Sequence, residues 1–237
     1  MSKIVGYAVS APGGGGQTAG SLAVGSSVFA KVDGIKTEFL VVHQGNPNSA
    51  LYDSSCDGTW LLTKDIYTRH VWNSALSNQY ANSDINTWLN NDFLAKFDND
   101  VKNIIAQVKI PYGAGNKTST VYGGSSGLSV KIFLLGGYEV GWTTSDSSNF
   151  VVDGTRLDYF EYGTGTEANN KRIAQFDGRN AYWWARTPAR TNDQVAFYVS
   201  SSGSIGQNNY VVANSGIRPA FIIPSTTNIT KGGLIKP

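Results

Sequence analysis

Two histidines and one cysteine are the whole supply of imidazole and thiol in this 237-residue sequence. Cys56 with His43 or His70 would be needed for a thiolate nucleophile and its base. No local motif joins them, so a small buried thiol and a structural His43 are expected. One cysteine also excludes an intramolecular disulfide and a Cys-rich zinc site. Asp53-Ser54-Ser55-Cys56-Asp57-Gly58 imitates the start of a calcium loop. The twelfth position is Lys64, where a bidentate glutamate is required, so the segment reads as a turn and no metal or cofactor is expected. Gly123-Gly124-Ser125-Ser126-Gly127 contains Gly-x-Ser-x-Gly without an apolar strand before it or a helix after it, and reads as a loop. Gly13 to Gly16 are not followed by Gly-Lys-Ser/Thr and do not make a phosphate loop. Asp153, Asp158 and Glu161 are the crowded acids. A hydrolase acting on cell-wall polymers would need such carboxylates roughly 5–10 Å apart across a cleft; solvated loop acids are the preferred account.

The residues that suit recognition lie late in the chain. Arg179 and Asn180 precede Tyr182. Arg190, Asn192, Asp193 and Gln194 join two short apolar runs, and Gln207, Asn208, Asn209 and Tyr210 join two more, with Tyr198 between. Amides and arginine hydrogen-bond sugar hydroxyls, and tyrosine stacks on pyranose faces. Loops on a rigid scaffold are where binding sites concentrate. These twelve residues are the candidate ligand site; no catalytic residue is assigned, and the protein is expected not to be an enzyme.

The elements that must carry them are short. Val28–Val32 and Glu38–His43 flank Asp33-Gly34, a hairpin signal. Trp60–Leu62 reads as a buried strand. Ile85, Trp88, Leu89 and Phe93 have helical spacing behind Ser83 as N-cap. Val101, Ile104, Ile105 and Val108 predict a second helix from about Asp98, ended by Ile110-Pro111. Strands are expected at 130–135, 172–176, 182–186, 195–200, 210–212 and 217–223, with a long polar excursion from 136 to 170. Trp183 and Trp184 must face opposite sides of their strand, and Trp60, Trp88 and Phe93 are core on pattern. Residues 1–23 form a Gly-rich arm or tether and 24–237 one α+β domain.

Composition narrows the classes further. Lys+Arg number 19 and Asp+Glu 17, for a net charge of +2, with 41% hydrophobic and 12% aromatic residues. That excludes a disordered chain, and the near-neutral balance argues against a nucleic-acid partner. No apolar run reaches the roughly 18 residues of a spanning helix, so no membrane insertion is expected. The N-terminus lacks a signal-peptide pattern, so the protein is expected either to stay in the cytoplasm or to leave by a signal-independent route, of which lysis with an assembled particle is one.

Ala181-Tyr182-Trp183-Trp184-Ala185-Arg186-Thr187-Pro188, then Gly216-Ile217-Arg218-Pro219-Ala220-Phe221, form an ordered pair of motifs. Upstream stand Trp60-Leu61-Leu62-Thr63-Lys64 and the series Tyr80, Ser83, Ile85, Trp88, Leu89, Asn90. Over about residues 24–224 the chain resembles a domain family of unassigned function found in Gram-positive bacteria and their prophages. The resemblance implies a C-type-lectin-like fold: two helices, a twisted antiparallel sheet and long loops. The sugar-binding tripeptides of calcium-dependent lectins (Glu-Pro-Asn, Gln-Pro-Asp, Trp-Asn-Asp) are missing, and so is the cysteine pair of formylglycine-generating enzymes. Arg186 and Arg218 are expected to brace loops through carbonyls and carboxylates. The implied function is a non-enzymatic domain on a phage or prophage virion that recognises a host surface glycan or protein. Its arm would contact virion structural proteins, and a homo-oligomer such as a trimer is expected. The alternatives are a capsid or tail decoration protein and a cell-wall-active enzyme.

Overall fold

Asp33 and Gly34 both take positive φ, 51° and 75°, as in the mirror-image hairpin turns whose twist matches paired strands. They join strand β1 (Ser27–Val32) to β2 (Ile35–Gln44), in register from Val32↔Ile35 to Ser27↔Leu40. The computed structural model describes residues 16–236, and only the backbone of residues 207–209. Along that span follow β3 (Thr59–Thr63), β4 (Thr68–Val71), helices α1 (Asp84–Trp88) and α2 (Asn99–Ile104), β5 (Ile132–Phe133), α3 (Thr166–Arg172), β6 (Trp183–Pro188), β7 (Val195–Val199), β8 (Ile205–Tyr210), β9 (Asn214–Ile217) and β10 (Ala220–Ile223).

Two five-stranded sheets carry the architecture. The first runs β5-β10-β3-β2-β1 and the second β8-β7-β6-β9-β4. In the second, β6 and β9 are parallel and the other neighbours antiparallel. Among the described residues, one three-stranded sheet and three two-stranded ribbons complete the set.

The expected C-type-lectin-like fold is corrected to a mostly β architecture with few, short helices, with which the coarser α+β reading roughly agrees. Among the described residues strand makes up 33%, spread over several small sheets, and helix 17%, and no lectin fold is seen. The two predicted helices do form, but briefly. Ser83 caps α1 by accepting from the Asn86 amide at 3.2 Å, and the helix then widens into a π turn over Leu89–Phe93. The second helix stops at Ile104. Val108 belongs instead to a strand, Val108–Ile110, paired with Leu128–Val130. The alternation Val108, Ile110 has period two, and pairing with a partner strand overrode the helical reading. The expected strand at 172–176 shrinks to Gln175–Phe176, because Arg172 ends α3.

Ile217–Ile223, expected as one strand, is two. β9 lies in the second sheet and β10 in the first. Pro219 has no amide hydrogen for a ladder, and Arg218 turns inward at the crossover. Its Nε donates to the Thr63 carbonyl at 3.1 Å, Nη2 to Lys64 at 2.9 Å, and its guanidinium lies 4.8 Å from the Trp183 ring centroid.

The core between sheet one and the helices is aromatic. Phe39 meets Phe221 at 5.0 Å, and Phe97 meets Phe93 at 5.3 Å and Phe221 at 5.5 Å. Trp60 packs edge-on to Phe133 and Tyr52. Asn90 ties the helical segment to β5: its carbonyl accepts from the Lys131 and Ile132 amides, and its amide donates to the Ile132 carbonyl. Of the expected 1–23 arm, residues 1–15 lie outside the described residues. Gln17 pairs with Ile229, the Ala19 amide donates to Thr227, and Ala19 and Leu22 are buried. No helix of the described residues is long and apolar enough to cross a membrane.

Candidate functional site

Arg186 sets the frame on which the late loops are mounted. It stands mid-way along β6, fully buried. Both terminal nitrogens bind Glu139, at 2.6 Å each, while Nε donates to the Pro111 carbonyl, Nη1 to Leu134 and Nη2 to Asp153. Tyr52 donates to Glu139 at 2.7 Å, and the Gly136 amide donates to the other carboxylate oxygen. Next along β6, the Thr187 hydroxyl bonds both Asp153 oxygens and accepts from the Gly137 amide. This satisfied polar core ties Gly136, Gly137, Glu139 and Asp153 to β6, as buried charge requires. Burial raises the Asp153 carboxyl to about 6, against the pull of Arg186.

The same strand throws its tryptophans to opposite faces, and both are fully buried. Trp183 donates to the Arg172 carbonyl at 2.9 Å. Trp184 donates to the His70 carbonyl at 3.2 Å and supports Tyr198 edge-on, ring centroids 6.2 Å apart. Trp88 is only half-buried, against the core expectation, and packs on His70 and Phe93.

The candidate residues fall into two groups at opposite ends of β7. At the Val199 end, Tyr182 is 50% exposed and meets Tyr198 edge-on at 5.5 Å. Tyr198 lies across Gly206, its partner on β8; a Cβ on Gly206 would run into the phenol ring. Arg179 and Asn180, both exposed, belong to a tight hairpin, Gln175↔Asn180 and Phe176↔Arg179, turned by Asp177 and Gly178 at φ 51° and 74°. They line a cleft of about 570 Å³ with Phe176, Asp177, Ala181 and Arg69.

At the Val195 end lies the 190–194 loop beside Tyr210, which is 53% exposed. The loop is held from below by Asn78. That buried amide donates to the carbonyls of Ala189, Asn192 and Val195, and its oxygen accepts from the Asn116 amide. The Asn192 side-chain oxygen accepts from the Gln194 amide, Asp193 pairs with Lys117 at 3.2 Å, and Arg190 and Gln194 are exposed. The side chains of Gln207, Asn208 and Asn209 lie outside the described residues.

The acids that a hydrolase would use do not form a shared pair. Asp153 is bound to Thr187 inside the core, Asp158 pairs with His43 at 2.9 Å, and Glu161 lies 4.0 Å from Lys171. Cys56 is buried, donates to the Lys109 carbonyl, and has its thiol raised to about 12 by burial, which is opposite to what a nucleophile needs. Among the described residues no group of three His, Cys, Asp or Glu is placed to hold a metal ion. Asp53 accepts from the Ser55 amide as a turn residue does.

Residues 57–225 match a family model described as a domain of unknown function (DUF6273). The chain belongs to this family. The matched segment contains all twelve candidate residues and the Arg186, Glu139, Asp153 and Thr187 core of this DUF6273 domain, with Tyr52 just upstream, and begins just before β3. No curated protein and no solved structure matches the chain.

Sequence reasoning missed Arg69, Phe176, Asn78 and Glu139. Nothing in their local sequence marks them; each acquires its role from a partner distant in the chain, Asn78 from residues more than 110 positions away. α3 was also missed, although Glu167 in its first turn and Lys171 and Arg172 in its last follow the helix dipole.

Proposed function

We propose that this DUF6273 domain is a non-enzymatic recognition module, carried on a phage or prophage particle, that binds a glycan or protein of the host surface. The observation that carries the reading is the Tyr182–Tyr198 pair. Two phenol rings are in edge contact, Tyr182 half exposed just before β6 and Tyr198 on β7, and the fully buried Trp184 of β6 packs edge-on against Tyr198. Exposed aromatics on a rigid support bind sugar faces and protein side chains with little loss of rotamer freedom. The hairpin arginine and asparagine next to them supply polar groups of the kind that orient a ligand. The particle context rests on the family resemblance, with the N-terminal arm as the tether.

The test is binding of the purified protein to intact Gram-positive cells and to an array of surface glycans, with Tyr182→Ala and Tyr198→Ala alongside. Retained melting temperature with lost binding is the expected result for Tyr182→Ala. Wild-type protein that binds no cell, glycan or surface protein would leave a structural role in the particle as the better reading.

A further inference from the structure

The cleft lined by Ala181, the chain neighbour of Tyr182, has a charge character that the recognition reading alone does not specify. Its walls are the 175–180 hairpin and the outer edge of β4. Arg69 lies on that edge, in register with Gly216 of β9, and its guanidinium sits 5.0 Å from the Phe176 ring centroid. Stacking on the ring leaves the guanidinium edge, with its N–H donors, available to a ligand. Arg179, the cross-strand partner of Phe176, lines the same cleft, as does the Asn180 amide. Among the described residues neither arginine is in an ion pair, whereas Lys64, Lys96, Lys117 and Lys171 each have an acidic partner. One carboxylate, Asp177, lines the cleft as well, at the tip of the turn, so the cationic excess is one charge.

The walls are also fixed in place. The Ile66 amide donates to the Gln175 carbonyl, the Gln175 amide to the Asp65 side chain, and the Ala181 amide to Ala174. Anchoring the two backbones limits the ordering that remains to the arginine side chains when an anion arrives.

Resting on the recognition reading, we infer that the ligand is an acidic glycan, with its carboxylate or phosphodiester seated between Arg69 and Arg179 while a neighbouring sugar ring reaches Tyr182. Both anion types offer the oxygen pair that a guanidinium recognises, so the two are separated by experiment.

Binding is measured by calorimetry with three polymers: polygalacturonate for the carboxylate, a poly(glycerol phosphate) for the phosphodiester, and dextran as the neutral control. The expected result is binding to one acidic polymer with weakening by salt, and roughly tenfold or greater loss in Arg69→Ala and in Arg179→Ala, with melting temperature unchanged. Arg69→Lys would restore only part of it, because lysine lacks the planar fork. Equal affinity for dextran, or unchanged affinity in both arginine variants, overturns the acidic-glycan assignment. If the same variants still adhere to cells and Tyr182→Ala does not, the recognition reading stands and the acidic-glycan inference alone falls. Failure of the wild-type protein to bind either acidic polymer also overturns it.

Discussion

Arg186 and Glu139 form a bidentate ion pair, 2.6 Å on each arm, with neither side chain exposed to solvent. The pair joins β6 to the loop after β5, and Tyr52 and Asp153 complete it. Removing one partner strands the other as an uncompensated buried charge. Glu139→Gln and Arg186→Ala are each expected to cost about 3–5 kcal/mol, read as a lower urea midpoint. A loss under 1 kcal/mol in both would mean that the pair does not hold the loop.

Asp153 provides a pH test. Its folded-state value of about 6 exceeds the ordinary 3.8, with burial as the cause. The folded protein therefore holds the proton more tightly than the unfolded chain. The stability from this group is fully present below pH 4 and is lost as pH rises through 6. Asp153→Asn removes that dependence. The stability gap between the variant and the wild-type protein should shift in favour of the variant by on the order of 3 kcal/mol between pH 4 and pH 7. Denaturation curves at the two pH values check this; a constant gap would contradict it.

Tyr182 and Trp184 separate binding from folding. Trp184→Ala empties a fully buried site and is expected to cost about 3–5 kcal/mol. Tyr182→Ala, at a half-exposed ring, should change stability by less than about 1 kcal/mol while abolishing cell adhesion. The opposite pattern in a thermal melt would place Tyr182 in the core.

Gly206 controls the pose of Tyr198. Gly206→Ala puts a methyl group where the phenol ring lies, so the ring must leave its contact with Trp184. A stability loss of about 1–3 kcal/mol is expected, with weaker ligand binding and altered near-ultraviolet circular dichroism. An unchanged aromatic spectrum would refute it.

Asn78 holds the 190–194 loop. Asn78→Ala leaves three carbonyls and the Asn116 amide without this partner, each unmade bond costing about 1–3 kcal/mol where it is buried. Faster hydrogen exchange at 190–195 than in the wild-type protein is the measurement. If ligand binding through Tyr182 survives that change, the two ends of β7 act independently.

Local chemistry made several elements legible in the sequence. Asp33-Gly34 fixed a hairpin because few residue pairs tolerate two positive φ values. Ser83 fixed the start of α1 through its hydroxyl. The alternation of Trp183 and Trp184 placed one ring on each face of its strand. The bracing roles of Arg186 and Arg218 were also readable from their motifs; the structure gives Arg186 carbonyl and carboxylate partners and Arg218 the carbonyls of Thr63 and Lys64. The fold itself was not readable. Whether Val108 ends a helix or starts a strand depends on Val130 across a ribbon, and whether 217–223 is one strand or two depends on which sheet has room on each side of Arg218.

The candidate surface divides in the same way. The residue types of Arg179, Asn180, Tyr182 and Tyr198 could be picked out one by one, since their chemistry is their own. Their assembly into one end of a sheet, the separation of the 190–194 loop to the other end, and the pairing of Arg179 with Arg69 come from strand register and from a hairpin folded onto a distant edge. The sequence by itself determined turns, caps and the alternation of buried faces, because those depend on neighbours within a few residues. Only the tertiary structure decided sheet membership, the partners of the buried charges and the composition of the cleft, because those energies depend on groups brought together from far along the chain.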